Sequence, residues 1–247
     1  MRFNDVPLRR VAHDIARMAE ACTFFDKFTL STQPLSDQVA AMFRPRLNKV
    51  VSNGLDPAYL GIARLIRTRH ADRPRPYQIG YFPGTASHNG DFATIAEPLA
   101  ETFAANPGLR MLLVGPVDIP DALMPFAGRI VQRGVVPFHH LPHTIALCDT
   151  VLAPLERTPF TNAKSGIKFF EAAVVGSSVI ATPIPDIDRF ESPLLIKADG
   201  VDEWRRGFET ALSRSLSPVE REAAARQVEE SVATERIYRS WVSDVLA

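Results

Sequence analysis

Lys164, Lys168 and Glu171 lie within PFTNAKSGIKFFEAAVVG, residues 159–176. On a helix, Lys164 and Lys168 are i,i+4 neighbours near its start, and Glu171 follows Lys168 by about one turn. A cation in the first turn opposes the helix dipole, so two of them require an explanation. A bound diphosphate supplies one, because the free N–H groups of a helix start and two ammonium groups all favour an anion. A carboxylate one turn further can accept two hydrogen bonds from a ribose diol. Asn162 or Ser165 can cap the helix. The alternative is an amphipathic helix with Lys164 solvated and Lys168 paired to Glu171 at the surface. The residues alone leave both readings open.

Other segments carry weaker signals. In GYFPGTASHNGDF, residues 80–92, Gly84 and Thr85 form a turn towards a helix beginning near Asp91, whose N–H groups can hold an anion. The GxGxxG spacing of a dinucleotide site is absent, and a plain tight turn with Asp91 as helix cap explains the segment equally well. His139, His140 and His143 cluster in FHHLPH, but no Cys or carboxylate stands beside them at a zinc spacing. That segment reads as a loop leading into a helix, and no metal site is expected. Asp186 and Asp188 in TPIPDIDRFE read as solvated turn residues rather than a catalytic pair. No Ser-His-Asp or Cys-His arrangement can be argued.

The elements that must position these residues alternate in type. Strand patterns fall at 78–82, 110–115, 129–136, 150–154, 178–182 and 194–197, with helical patterns at 91–105, 139–148, 164–175 and 201–215. Two further helices are expected at 217–231 and 233–246. Short apolar strands alternating with amphipathic helices predict a doubly wound α/β domain, its parallel sheet covered on both faces. Ligands in such sheets bind beyond the carboxyl ends of the strands, and the candidate residues follow those ends. Upstream, helices are expected at 7–22 and 35–43, with strands at 27–31 and from 49. Residues 64–77, RLIRTRHADRPRPY, are rich in Arg and Pro and read in their later part as a linker.

The chain has 247 residues, 46% hydrophobic and 23% charged, which excludes disorder and allows one large domain or one with an appendage. Its net charge of zero disfavours nucleic acid as a partner. Residues 1–76 hold 13 basic and 7 acidic side chains against 15 and 21 in residues 77–247, an asymmetry that marks a boundary. Cys22 and Cys148 lie far apart in apolar stretches and read as buried thiols of a reducing compartment. No signal core and no membrane-length apolar run is visible, so a cytoplasmic protein is expected.

Together these residues resemble the C-terminal half of a GT-B glycosyltransferase of the family 4, or group 1, type. The resemblance rests on IGYFPGTASHNGDF, on LRMLLVG, on VVPFHHLPHTIALCDTVLAPLE and most of all on FTNAKSGIKFFEAAVVGSSVIATPIPD. NGLDP, residues 53–57, is similar to the segment that closes the family's N-terminal domain. The resemblance implies that Glu171 holds the ribose of a nucleotide-sugar donor. It implies that Lys164, Ser165 and the helix start, with Asn162 and Lys168 beside them, hold the diphosphate. The turn at Gly84 and Thr85 would border the donor, and the loop at Phe138 and His139 would lie against the base. It further implies transfer of a hexosyl group from a UDP- or GDP-linked sugar to a glycan or lipid-linked acceptor. Retention of anomeric configuration, no cofactor, no bound metal and a setting in polysaccharide or glycolipid assembly also follow.

The sequence departs from the family in two respects within the donor domain. Ala163 stands where a second glutamate is usual, and SHNGD replaces a common basic pair after the first strand. Lys164 and Lys168 compensate in this reading. The implied layout is a partial N-terminal Rossmann-like segment at 1–63, a linker at 64–76, a nucleotide-sugar-binding domain at 77–231 and a terminal helix at 232–247 packing back on the N-terminal segment. Because 1–63 supply only the end of an acceptor domain, the alternative is a truncated or non-catalytic module that needs a partner chain or a homodimer. Loose membrane association through Arg-rich residues 64–75 is a further expectation.

Overall fold

The computed structural model describes residues 2–3, 6–69 and 76–245. A short antiparallel pair, β1 (Arg2–Phe3) and β2 (Val6–Pro7), precedes helix α1 (Leu8–Cys22). Strand β3 (Lys27–Leu30), helix α2 (Gln33–Phe43) and strand β4 (Leu47–Val50) follow, with β3 and β4 paired in parallel. No side chain of α1 is buried, and Ile15, Met18, Phe24 and Phe25 are exposed.

Helix α3 (Pro57–Arg69) leads to the main domain. Its first part comprises β5 (Gln78–Tyr81), α4 (Asn89–Ala93), α5 (Ala96–Ala105), β6 (Arg110–Val114) and β7 (Ile130–Arg133). Next come α6 (Leu141–Ile145), β8 (Thr150–Ala153), α7 (Pro159–Asn162), α8 (Ile167–Ala173) and β9 (Ser178–Ala181). The chain then runs through α9 (Pro185–Asp188), β10 (Leu195–Lys197), α10 (Val201–Ser213), α11 (Pro218–Val232) and α12 (Thr234–Val245). The six strands β5 to β10 are all parallel, in the order β10-β9-β8-β5-β6-β7. This is the doubly wound order, and the connection direction reverses between β5 and β8.

The strands pair in parallel because their sequences are apolar on both faces: TVLA and SVIA are buried throughout. One core, beneath α3, α6, α8 and α11, holds Tyr59, Phe169, Phe170 and Val228. The other, beneath α4, α5 and α10, holds Phe92, Phe103, Trp204 and Phe208.

The helix expected over 91–105 is broken into α4 and α5. Pro98 has no N–H to donate to the carbonyl of Thr94, so the first helix ends and a second starts with proline in its opening turn. The segment expected to be a linker differs as well. Helix α3 continues through Arg69, and residues 70–75 lie outside the described residues. Tyr59, Leu60, Ala63 and Ile66 recur at helical spacing and enter the main core. Arg67, 6% exposed, pairs with Glu222 at 2.8 Å and Glu229 at 2.9 Å and donates to the carbonyl of Val174. Leu55 N–H also donates to Val232 O at 2.8 Å, and a side chain on Gly54 would strike that same carbonyl. Residues 54–69 are thus built into the main domain. At the far end, Trp241 of α12 faces Lys27, Phe28, Thr29 and Leu47 across a cavity of about 270 Å3.

Candidate functional site

The direction reversal between β5 and β8 opens a crevice beyond their carboxyl ends. From β5 the chain runs through Phe82 and Pro83 to Gly84 and Thr85, then through a tight turn, Ala86–His88, into α4. Gly115, after β6, has φ +136°, and a Cβ there would collide with the Pro83 carbonyl. Only glycine lets the two loops come this close.

The expected helix start after β8 is rearranged. Residues 159–162 form the short helix α7, capped by Thr158 and Thr161, and residues 163–166 turn before α8 begins at Ile167. Lys164 therefore lies outside the helix, and neither Asn162 nor Ser165 caps it. Gly166 occupies the cap position, and its N–H donates to Asp186 Oδ2 at 2.7 Å. Asp186 is buried and also accepts from Arg189 Nε at 2.7 Å, so it pins the turn rather than facing solvent. Asp188, by contrast, is half exposed and pairs with Lys197 at 2.9 Å.

Lys168, in the first turn of α8, donates from Nζ to the carbonyl of Phe82 at 2.9 Å and lies 5.8 Å from the centre of the Tyr81 ring. It forms no ion pair with Glu171, which removes the surface-pair alternative. Burial pulls the Lys168 ammonium down to about 8, against the opposing pull of the Glu171 charge. Burial likewise pushes the Glu171 carboxyl up to about 7, with Lys168 acting against it. Lys164 rests 5.2 Å from the Phe160 ring centre, near enough to Lys168 and Asp91 to influence the charge of both. Among the described residues, the buried oxygens Asn162 Oδ1 and Ser165 Oγ have no hydrogen-bond partner. In a native fold such atoms mark a missing ligand or strain.

Phe138 and His139 form a turn after β7 and are exposed, their rings 5.5 Å apart at 66°. Phe138 packs 5.2 Å from Tyr59, whose hydroxyl donates to the Glu171 carbonyl at 3.4 Å. Burial raises the Tyr59 hydroxyl far above its ordinary value, so it stays protonated. Gly84 and Thr85 are exposed, with Thr85 Oγ1 2.6 Å from Ser87 Oγ. Lys164, Lys168 and Glu171 are therefore brought together, Phe138 is joined to them through Tyr59, and Gly84 and Thr85 border the crevice. No group of three His, Cys, Asp or Glu among the described residues could hold a metal ion.

Sequence reasoning missed several residues. Asp91 does not cap a helix: it lies inside α4, where its two oxygens face His88 Nδ1 at 2.7 Å and Glu156 N–H at 2.8 Å. Burial raises its carboxyl, but these bonds and the charges of His88 and Lys164 outweigh that and hold it below the usual range. Thr32, which caps α2, donates to the Ala163 carbonyl at 2.8 Å. The spacing of His88 and Asp91 was the available signal for the first; nothing local announces Thr32 or Tyr59.

These features define the Rossmann-like domain of the GT-B fold. HepE from Anabaena, in complex with UDP and glucose, is similar over 90% of this chain and 63% of its own, with TM-score 0.65 and 16% identity. A TarM variant from S. aureus, in complex with fondaparinux, alpha-GlcNAc-glycerol and UDP, matches over 92% and 45%, with TM-score 0.66 and 13% identity. The GtfA/B complex matches over 88% and 44%, with TM-score 0.55 and 16% identity. The chain thus spans less than two thirds of the length of each. By sequence it matches no protein-family model and no curated protein.

Proposed function

We propose that the chain is the donor-binding portion of a glycosyltransferase of the group 1 type. It takes a UDP- or GDP-linked sugar and passes the hexosyl group, with retention, to a glycan or lipid-linked acceptor. The observation that carries this reading is the gathering of Lys164, Lys168 and Glu171 at the strand-order reversal, with the unpartnered Asn162 and Ser165 oxygens flanking Lys164 along the chain. Two cations there offset the charge that develops on a leaving diphosphate, and they do so without a metal ion. Glu171 accepts the ribose hydroxyls, Ser165 donates to a phosphate oxygen, and Phe138 and His139 flank the base. The UDP held by HepE and TarM is consistent with that assignment.

Calorimetric titration with UDP, GDP and their sugar conjugates tests it, with Glu171→Ala as control. Binding of one nucleotide, lost in the control, is the expected result; binding of none removes the reading. A second reading, a module that acts only with a partner chain, is supported by the two-stranded sheet β3–β4 and the exposed apolar side chains of α1. A two-stranded sheet is marginal by itself. Glycosyl transfer by the purified chain alone would remove this second reading.

A further inference from the structure

His88 ends the tight turn that follows β5, and its backbone carbonyl accepts from the Tyr81 hydroxyl at 3.3 Å. Its ring nitrogen Nδ1 donates to Asp91 Oδ2 at 2.7 Å, while Asp91 Oδ1 accepts the Glu156 N–H at 2.8 Å. One carboxylate therefore bridges the loops after β5 and β8, and it fixes the plane of the ring and keeps a proton on Nδ1. The two side chains are only 15% and 7% exposed. Nε2 nevertheless has no partner among the described residues and is not one of the enclosed polar atoms. A histidine with an open second nitrogen, held by a carboxylate within electrostatic reach of Lys164 and Lys168, has the form of a ligand donor.

We infer that His88 is a binding residue of this crevice: Asp91 holds its ring through Nδ1–H, and as an imidazolium it donates from Nε2–H to an oxygen of the bound diphosphate. Asp91 is the positioning residue. The inference rests on the nucleotide-sugar reading and adds to it a donor from the loop after β5. The alternative, that the pair only staples two loops together, requires Nδ1 and Asp91 but leaves Nε2 without a role. The charged groups about the His88–Asp91 pair are Glu156 after β8, Lys164 in the turn before α8 and Lys168 on α8, with Asp91 itself in α4.

The discriminating variant is His88→Asn, whose amide nitrogen replaces Nδ1 towards Asp91 while nothing replaces Nε2. UDP and uridine, or GDP and guanosine if that base binds, are titrated into wild type, His88→Asn and Asp91→Asn. In parallel, the His88 ring nitrogens are followed by NMR as inorganic pyrophosphate is added to the wild type. His88→Asn is expected to weaken nucleoside diphosphate binding about tenfold and leave the nucleoside within about twofold, as for loss of one charge-assisted hydrogen bond. Asp91→Asn should act in the same direction, and pyrophosphate should shift the Nε2 resonance. An unchanged affinity, an equal loss for nucleoside and diphosphate, or an unresponsive Nε2 resonance would overturn the inference alone. A wild type that binds no nucleotide and no pyrophosphate overturns the functional reading, and this inference with it.

Discussion

Lys168 Nζ donates to the carbonyl oxygen of Phe82 at 2.9 Å, tying the first turn of α8 to the end of β5 across the reversal of strand order. The bond fixes a largely buried cation at the crevice, and among the described residues no carboxylate lies at ion-pair distance from it. Lys164, by contrast, rests against the exposed ring of Phe160.

That difference separates the two lysines experimentally. Lys164→Ala should leave the unfolding transition unchanged, because the contact it removes is exposed. UDP or GDP binding should weaken about tenfold, the scale of one charge-assisted hydrogen bond, while the free nucleoside is unaffected. Calorimetry with both ligands checks this. Equal affinity for the diphosphate would displace it from the turn at 163–166.

Nucleotide binding should peak between the two shifted groups. Burial pushes Glu171 up to about 7 and pulls Lys168 down to about 8. Below about 7 Glu171 is protonated and accepts less well from the ribose; above about 8 Lys168 loses the charge that meets the diphosphate. Uridine or guanosine, with no titrating phosphate, should show only the acid limb, and Glu171→Gln should remove it. The stability signs are opposite for the two groups. The cost of burying charged Glu171 is present above about 7 and is relieved as pH falls; that of Lys168 is present below about 8 and is relieved as pH rises.

Asp186→Ala should destabilise the domain by about 3 kcal/mol in urea unfolding, because the Gly166 N–H and the Arg189 guanidinium both lose their buried acceptor. Nucleotide affinity should fall as well, since the turn carrying Lys164 and Ser165 is no longer pinned. Full affinity in this variant would mean that the turn is held by other contacts.

Arg67→Met keeps the side-chain stem but strips one partner from the buried Glu229. A loss of about 2 kcal/mol is expected, limited by the remaining bond from Arg64 at 2.6 Å. Pairing it with Glu229→Gln should restore most of that loss, because no buried charge is then left over. A double variant no more stable than the single one would show that the clamp acts through packing alone.

The sheet was legible in the sequence because MLLV, TVLA and SVIA are continuous apolar runs of strand length, and each forms a parallel strand near its expected limits. Helix α3 was obscured because its Arg residues resemble those of a linker. One of them, Arg67, is buried by carboxylates more than 150 residues further along the chain, which no local pattern shows. The same holds at the crevice. The spacing of Lys168 and Glu171 survives on α8, but the helix start was misplaced because Asp186, twenty residues away, takes the Gly166 N–H. Local spacing marks which residues can act; their long-range partners decide where the helix begins.

The bond from the Thr32 hydroxyl to the Ala163 carbonyl joins the N-terminal segment to the turn that bears Lys164. Thermodynamic reciprocity gives it a consequence for regulation. If closing this turn on a ligand strengthens the bond, whatever grips α2 must raise that ligand's affinity by the same factor by which the ligand tightens the grip. One buried hydroxyl would then carry a message in both directions.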